Sequence, residues 1–261
     1  MTTPLGFDHI IIAVRDLDAA IADYRALGFT TYYGGKHTHK ATHNGLIALA
    51  DGSYLELLAP VDPTQIDGTI GLLAQGEGFA GYALLSTDLA QDRARLQAAG
   101  IAVSEIALGH RSRYDGVPVA WEAVNLAGTR SPFLIADVTP HLLRVPDDAE
   151  KITHANGAVG IARLTVAVTD LTAATARYRA ILDQAPQPKR QEDQMDCVDF
   201  PMAGYTLTLA RPTDNASPLA EHLARFRETP YELVLRTQQP MQAEQPDLAL
   251  AHGARIALIG D

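Results

Sequence analysis

Residues 10–29 (IIIAVRDLDAAIADYRALGF) recur as residues 164–183 (LTVAVTDLTAATARYRAILD) and, more weakly, as residues 84–103 (LLSTDLAQDRARLQAAGIAV). Asp16 aligns with Asp170 and with Asp88, at offsets of 154 and 72. Every copy is an apolar run, an Asp-Leu pair, a helical stretch and a second apolar run. A chain that repeats a supersecondary unit in this way folds by stacking equivalent units, each burying what its neighbour leaves bare. A fourth copy, YELVLRT (231–237) followed by DLALAHGARIALIG (247–260), has the same outline and stops early.

The chemistry of the first copy defines the unit. Ile10, Ile11, Ile12, Ala13 and Val14 form a short run rich in β-branched residues, the mark of a strand buried on both faces. Asp16 stands where a helix N-cap belongs, and Leu17, Ala20, Ile21 and Tyr24 follow at the spacing of one helix face. Gly28 is the candidate C-cap. After a Gly34-Gly35 loop come the run 46–50, the turn Asp51-Gly52 and the run 54–59; Asp-Gly between apolar runs signals a hairpin. The unit is β-α-β-β-β. The second copy reads as strand 81–86, helix 88–99, strand 101–107, turn Asp115-Gly116, strand 117–125 and a closing strand around Phe133 to Ala136. The third runs from about 158 to 212.

Connectors rich in Pro and Gly at 60–78 and 137–157 separate the pieces. They predict a first domain of residues 1–145 with two modules, and a second of residues 150–261 with one full and one truncated module. The expected fold class is α+β: repeated βαβββ modules in curved, mixed, partly open β-sheets with the helices outside.

Composition narrows the function classes. Asp and Glu number 31 against 21 Lys and Arg, a net charge of -10. Such a surface repels phosphate backbones and anionic lipid, so neither a nucleic acid nor a membrane is an expected partner. The single cysteine, Cys197, has no internal disulfide partner, which fits a reducing compartment, expected to be the cytoplasm. Asp8 and His9 interrupt the first apolar run and no basic leader precedes it, so Met1 to Val14 does not read as a signal peptide. Nucleophile-elbow, zinc-protease, phosphate-loop and paired-cysteine motifs are absent. Asp196 beside Cys197 argues against a nucleophilic thiol.

Two ligand-type residues sit inside apolar strands, His9 in the first and Glu56 in the last strand of module one. A carboxylate among leucines is costly unless it is paired, hydrogen-bonded or bound to a metal. If both face the concave side of one curved sheet, imidazole nitrogen and carboxylate oxygen converge as ligands for a divalent metal. The plainer reading keeps Glu56 in solvent and His9 as a hydrogen-bonded core residue. His43, just ahead of the third strand, is the third candidate ligand and a second candidate catalytic residue. His37 and His39 fall in a stretch that reads as a solvated loop. The segment His110-Arg111-Ser112-Arg113 before the Asp115-Gly116 turn offers an arginine fork for a carboxylate or phosphate, and Trp121 an apolar wall. Alternatively, those arginines are solvated turn residues and Trp121 is core. Asn44 and Tyr54 join Arg111 and Trp121 as candidate substrate-binding residues.

A His in the first strand (FDHIIIAVRDLDAAI) and a Glu in the fourth (DGSYLELLAP) of a repeated β-α-β-β-β module resemble the vicinal oxygen chelate superfamily of glyoxalase I, extradiol dioxygenases and bleomycin-resistance proteins. THNGLIALADGSYLELLAP, RSRYDGVPVAW with SPFLIA behind it, and HANGAVGI resemble the bacterial glyoxalase-like-domain group, over about residues 7–212. The resemblance implies a pair of modules curled into an eight-stranded cup. A metal would be held from strands one and four of each module and would chelate two adjacent substrate oxygens.

His9 and Glu56 match that pattern; Gly81, Phe133, Arg163 and Leu207 stand at the other ligand positions. The implied divalent metal (Zn, Fe, Mn, Ni or Mg) therefore has an incomplete ligand set. Either His43 or waters complete it, or the cup takes an organic ligand without metal. The function expected is metal-assisted lyase, isomerase or dioxygenase-like chemistry on a small oxygen-rich carbonyl or carboxylate substrate, with Glu56 as ligand or base. The alternative is a non-catalytic small-molecule binder lined by Trp121, Tyr54 and Phe133. The C-terminal half is expected to lack a site and to cover a sheet edge or form a homodimer surface.

Overall fold

The repeat becomes two curved sheets in the computed structural model, which describes residues 5–38, 40–64, 68–126, 132–238 and 247–260. Module one supplies β1 (Gly6–Ala13), α1 (Leu17–Ala26), β2 (Tyr32–His37), β3 (Thr42–Ala48) and β4 (Tyr54–Pro60). Module two supplies β5 (Gly78–Leu85), α2 (Leu89–Ala98), β6 (Ala107–Ser112), β7 (Pro118–Asn125) and β8 (Phe133–Asp137). These strands close into a barrel in the order β1-β4-β3-β2-β6-β7-β8-β5. Each module pairs its first and last strands in parallel, β1 with β4 and β5 with β8, and the modules meet along the antiparallel β1/β5 and β2/β6 seams.

The connector forms two short helices, α3 (His141–Arg144) and α4 (Ala149–Ile152). Beyond it lie β9 (Ala158–Ala167), α5 (Leu171–Leu182), β10 (Arg190–Glu192), β11 (Met195–Pro201), β12 (Thr206–Pro212), α6 (Pro218–Phe226), β13 (Pro230–Thr237) and β14 (Ile256–Gly260). They form a six-stranded open sheet in the order β10-β11-β12-β9-β13-β14.

The aspartates that mark the repeat are caps. The Asp16 carboxylate accepts from the amides of Asp18 and Ala19, Asp88 from Gln91 and Asp170 from Ala173, so each module starts its helix with the same device. Gly28, just past α1, takes φ +85, a left-handed conformation that a side chain would disfavour. One expected element differs. Residues 101–106 form no strand beyond an isolated bridge between Val103 and Leu126, and β6 begins at Ala107. Ile101 and Val103 pack as coil against the core; Ser104 exchanges hydrogen bonds with Asn125 at the end of β7, and Ser104 and Glu105 both accept from Arg93.

The outer face of the barrel and the inner layer of the second half share one core. Ile10, Ile12, Tyr24, Tyr82 and Leu84 belong to the same buried cluster as Leu164, Tyr178, Leu207 and Leu235. The Tyr82 hydroxyl donates to that of Tyr178 at 3.1 Å inside it. The connector is fastened by His154, which accepts from the Thr30 amide through Nδ1 and donates to the Ala48 carbonyl through Nε2, both at 2.9 Å. No helix among the described residues is long and apolar enough to cross a membrane.

Candidate functional site

Strand alternation decides which side chains enter the barrel. His9 and Ile11 on β1, Asn44 on β3, and Tyr54, Glu56 and Leu58 on β4 all point inward, around a cavity of about 220 Å³. In the parallel β1/β4 pair Ile11 stands opposite Glu56 and His9 opposite Tyr54. That register brings His9 Nε2 to 3.6 Å from Glu56 Oε2 and stacks the His9 and Tyr54 rings at 4.6 Å. Both polar residues are buried, His9 at 3% and Glu56 at 6% exposure.

Glu56 is held from several sides. Asn44 Nδ2 donates to Oε1 at 2.6 Å, and His37 Nε2 lies 3.9 Å from the same oxygen. Burial pushes the Glu56 carboxyl up, but His9, His37, the Asn44 amide and Arg111 together outweigh it and leave its pKa below the ordinary value. The carboxylate is therefore ionised at neutral pH inside an apolar barrel.

His9 is oriented from behind. A register shift in β1 against β5 between Phe7 and His9 bends the strand and lets neighbouring Asp8 reach the His9 ring. His9 Nδ1 lies 2.5 Å from Asp8 Oδ1. Burial raises the Asp8 carboxyl, but the Arg144 guanidinium and His9 overcome it and hold it well below the usual carboxylate range. An ionised carboxylate only accepts, so His9 Nδ1 carries the proton and Nε2 is the nitrogen that faces Glu56.

These donors fit part of a divalent-metal site. Nε2 meets Glu56 Oε2 with either a proton or a bare lone pair; in the second case two buried acceptors confront each other, which is a seat for a cation. A carboxylate behind a metal-binding imidazole is the usual outer support for such a ligand. No group of three His, Cys, Asp or Glu side chains among the described residues is gathered closely enough to hold an ion as it stands. The pair His9 and Glu56, with His37 beside it, is what the chain offers.

The opposite wall belongs to module two. Arg111, 3% exposed, lines the cavity together with Trp121 and Phe133. Its guanidinium donates to the carbonyl oxygens of Gly34 and Arg144, the latter at 2.9 Å. Burial pulls its pKa below the ordinary arginine value. Arg113 lies outside this cavity, bonded to Asp115 at 2.8 Å and to the Leu143 carbonyl at 3.3 Å. Trp121 lies over Gly109, its partner across the β6/β7 pair, where a Cβ would fall 2.4 Å from the indole Nε1.

With this geometry in hand, the comparisons with known proteins are specific. The sequence profile described as "Glyoxalase-like domain" matches residues 7–182, well over half of the chain. The chain belongs to the glyoxalase-like domain family. Among solved structures, a hypothetical protein from Staphylococcus aureus superposes with a TM-score of 0.76 at 15% identity, covering 98% of this chain and 100% of that one. A mutant of 4-hydroxymandelate synthase from Streptomyces coelicolor gives a TM-score of 0.62 at 16% identity, covering 92% of this chain and 72% of that one. At such identities the likeness is one of fold. No curated protein sequence matches the chain.

Of the candidate residues in this glyoxalase-like protein, His9, Asn44, Tyr54, Glu56, Arg111 and Trp121 converge on one cavity. His43 does not, and its expected place beside His9 and Glu56 is corrected. β3 puts Thr42 and Asn44 inward, so His43 points to the outer face, where its ring meets Tyr33 at 6.0 Å. His37, expected in a solvated loop, is instead the last residue of β2 and lines the cavity, its Nδ1 2.9 Å from Thr42 Oγ1. His39 lies outside the described residues. Asp8 and Arg144 were not legible as site residues: each becomes one only through contact with the other across the fold.

The second sheet has its own concave face, around a cavity of about 630 Å³. Arg163 stands at the position of His9, as the repeat implies. The register of β9 with β12 sets Thr165 opposite Thr208, so Thr208 occupies the place of Glu56; Leu207, expected there, is buried in the core behind the sheet. Two of the arginines there are ion-paired, Arg190 with Asp199 at 2.7 Å and Arg163 with Glu232 at 3.5 Å, and the third, Arg255, lies over the Tyr231 ring at 5.1 Å. Burial pushes the Cys197 thiol up to about 11, so it stays protonated at neutral pH.

Proposed function

We propose that this glyoxalase-like protein binds a small oxygen-rich carbonyl or carboxylate compound inside its closed barrel and catalyses proton transfer beside the carbonyl, a lyase- or isomerase-type reaction. The observation that carries this reading is the ionised Glu56 carboxylate, buried in the barrel with one oxygen pinned by Asn44 and the other facing His9 Nε2. A buried base with its charge kept available is what proton abstraction from carbon requires.

The residues divide the work. Glu56 accepts the proton at Oε2, the oxygen Asn44 does not hold. Asp8 keeps the proton of His9 on Nδ1, leaving Nε2 turned to the cavity. Trp121 and Phe133 wall the cavity and limit water, which strengthens every charge interaction inside it. A divalent cation would be held by His9 and Glu56, with His37 next to them, and would polarise the substrate carbonyl as a Lewis acid. The second sheet takes no chemical part in this reading and serves to cover the outer face of β1 and β5.

Metal-supplemented protein in D2O, mixed with a panel of small 2-oxo acids, 2-hydroxy acids and aldehydes, tests the proposal by NMR. Wild type should exchange the proton beside the carbonyl of at least one compound. Glu56→Gln should slow that exchange by about 10²–10⁴-fold, the usual worth of a general base. Exchange at the wild-type rate in Glu56→Gln, or none across the panel with wild type, would overturn it. In the second event, binding without turnover would mark the protein as a small-molecule binder.

A further inference from the structure

Arg111, Arg113 and Arg144 lie together beside the barrel cavity, and their partners differ. Arg144 is saturated by Asp8, Asp137 and the Tyr54 hydroxyl. Arg113 has Asp115. Arg111 has only the backbone carbonyls of Gly34 and Arg144, and no carboxylate among the described residues pairs with it. Glu56 shares its cavity, but its Oε1 accepts from Asn44 and lies near His37, and its Oε2 faces His9.

A guanidinium at 3% exposure with no direct ion-pair partner carries a desolvation cost that two carbonyls and the charge of Glu56 in the same cavity offset only in part, since burial still leaves its pKa below the ordinary arginine value. The two carbonyls fix the plane of the fork and occupy two of its five N–H donors, so the remainder is preorganised for something that arrives from the cavity. We propose that Arg111 is the anion receptor of this cavity and that the ligand is a small monocarboxylic acid with an apolar body. This rests on the reading of the barrel as the reaction site and gives its substrate a class.

Charge and size narrow the class. One unpaired guanidinium matches one negative charge; a dianionic phosphate would leave excess charge beside Glu56. A planar carboxylate fits the fork edge-on. The volume of about 220 Å³ falls below the 300–1,000 Å³ common for drug-sized ligands, so the acid is small. Trp121, Phe133, Ile11 and Leu58 give its apolar part a wall.

The emission of Trp121, the only tryptophan, reads binding directly. Intact wild-type protein is titrated with 2-oxobutyrate, 2-oxoisovalerate and phenylacetate, with the amide of each, and with inorganic phosphate. At least one carboxylate should bind at least tenfold more tightly than its own amide and than phosphate; this comparison needs no variant. Arg111→Lys, checked for a native circular dichroism spectrum and cooperative melting, keeps the charge but loses the fork. It should weaken the carboxylate at least tenfold and leave the amide within twofold.

Equal binding of acid and amide, tighter binding of phosphate, or binding of none of the acids would overturn the proposal. Glu56→Gln separates it from the catalytic reading. Carboxylate binding without proton exchange in wild type would refute the reaction and leave the receptor standing. Exchange that is as fast on the neutral amides as on the acids would do the reverse.

Discussion

Arg144 grips Asp8 with both arms of its fork, Nη1 to Oδ1 at 2.8 Å and Nη2 to Oδ2 at 2.6 Å, across 136 residues of chain. Both partners are buried, and the same guanidinium reaches Asp137 and the Tyr54 hydroxyl. A short connector helix thus supports the back of the cavity wall, since Asp8 in turn orients His9. Removing one member of a buried pair strands the other. Asp8→Asn should cost about 3–5 kcal/mol of stability in urea unfolding at neutral pH. The double variant Asp8→Asn/Arg144→Met should cost clearly less than the sum of the single changes. Additive losses would show that the two side chains do not act as a pair.

The faces of β2 and β3 make a second prediction. His43 is on the outside and His37 on the inside. If the barrel takes a divalent cation, any rise in Tm that Mn²⁺ or Zn²⁺ gives wild type should be unchanged in His43→Ala, abolished in His9→Ala and reduced in His37→Ala. A metal response lost in His43→Ala and kept in His37→Ala would mean that the inward face has been misassigned.

Local signals were legible in the sequence, and signals that depend on phase or distance were not. Asp16, Asp88 and Asp170 cap their helices because capping needs only the next three residues. His9 and Glu56 stood out because each is a polar residue within an apolar strand. His43 failed by one residue of phase: the run after it is apolar on both faces and carries no alternation to fix the register. Leu207 failed likewise by one residue: it stands 151 positions after Glu56, whereas the pairing of β9 with β12 sets the equivalent position at 152, on Thr208.

His37 was hidden by Gly34 and Gly35, which read as a loop. Gly34 is in fact a strand residue, where a Cβ would fall 2.3 Å from Asn44 Oδ1. The glycine there answers a packing demand and lets β2 lie close over β3. Arg144 and Asp8 are informative only as a pair, and nothing in either local sequence announces the other.

The second half offers a pH test away from the barrel. His222 on α6 packs between Phe226 and Tyr231, with Nε2 2.9 Å from Thr229 Oγ1. Burial, and then the charge of Arg255, pull its pKa from 6.5 to about 4. The unfolded chain therefore binds a proton between those values that the folded chain refuses. This contribution to stability is full above pH 6.5 and lost as pH falls toward 4, with an upper limit of about 3 kcal/mol. His222→Gln should flatten the fall in urea-unfolding stability between pH 6.5 and 4. An unchanged slope would place the acid sensitivity elsewhere.

Gly109 and Trp121 give the last prediction. They face each other across β6 and β7, and the indole lies where a Cβ on Gly109 would be, 2.4 Å from Nε1 and 2.5 Å from Cε2. The neighbour in the way is a rigid ring and cannot yield at its tip, so Gly109→Ala must displace the whole side chain. Edge contact with His37, at 5.8 Å between ring centroids, ties that ring to the polar side of the cavity. Overpacking of this kind costs about 1–3 kcal/mol. The variant should melt earlier, shift the tryptophan emission, and lose at least tenfold in affinity for whichever carboxylate wild type binds. Gly71→Ala is the control, because a Cβ there meets nothing within 4 Å and no positive φ is involved; it should change none of the three. If Gly109→Ala kept wild-type emission and affinity, the indole would not be the wall of the binding cavity.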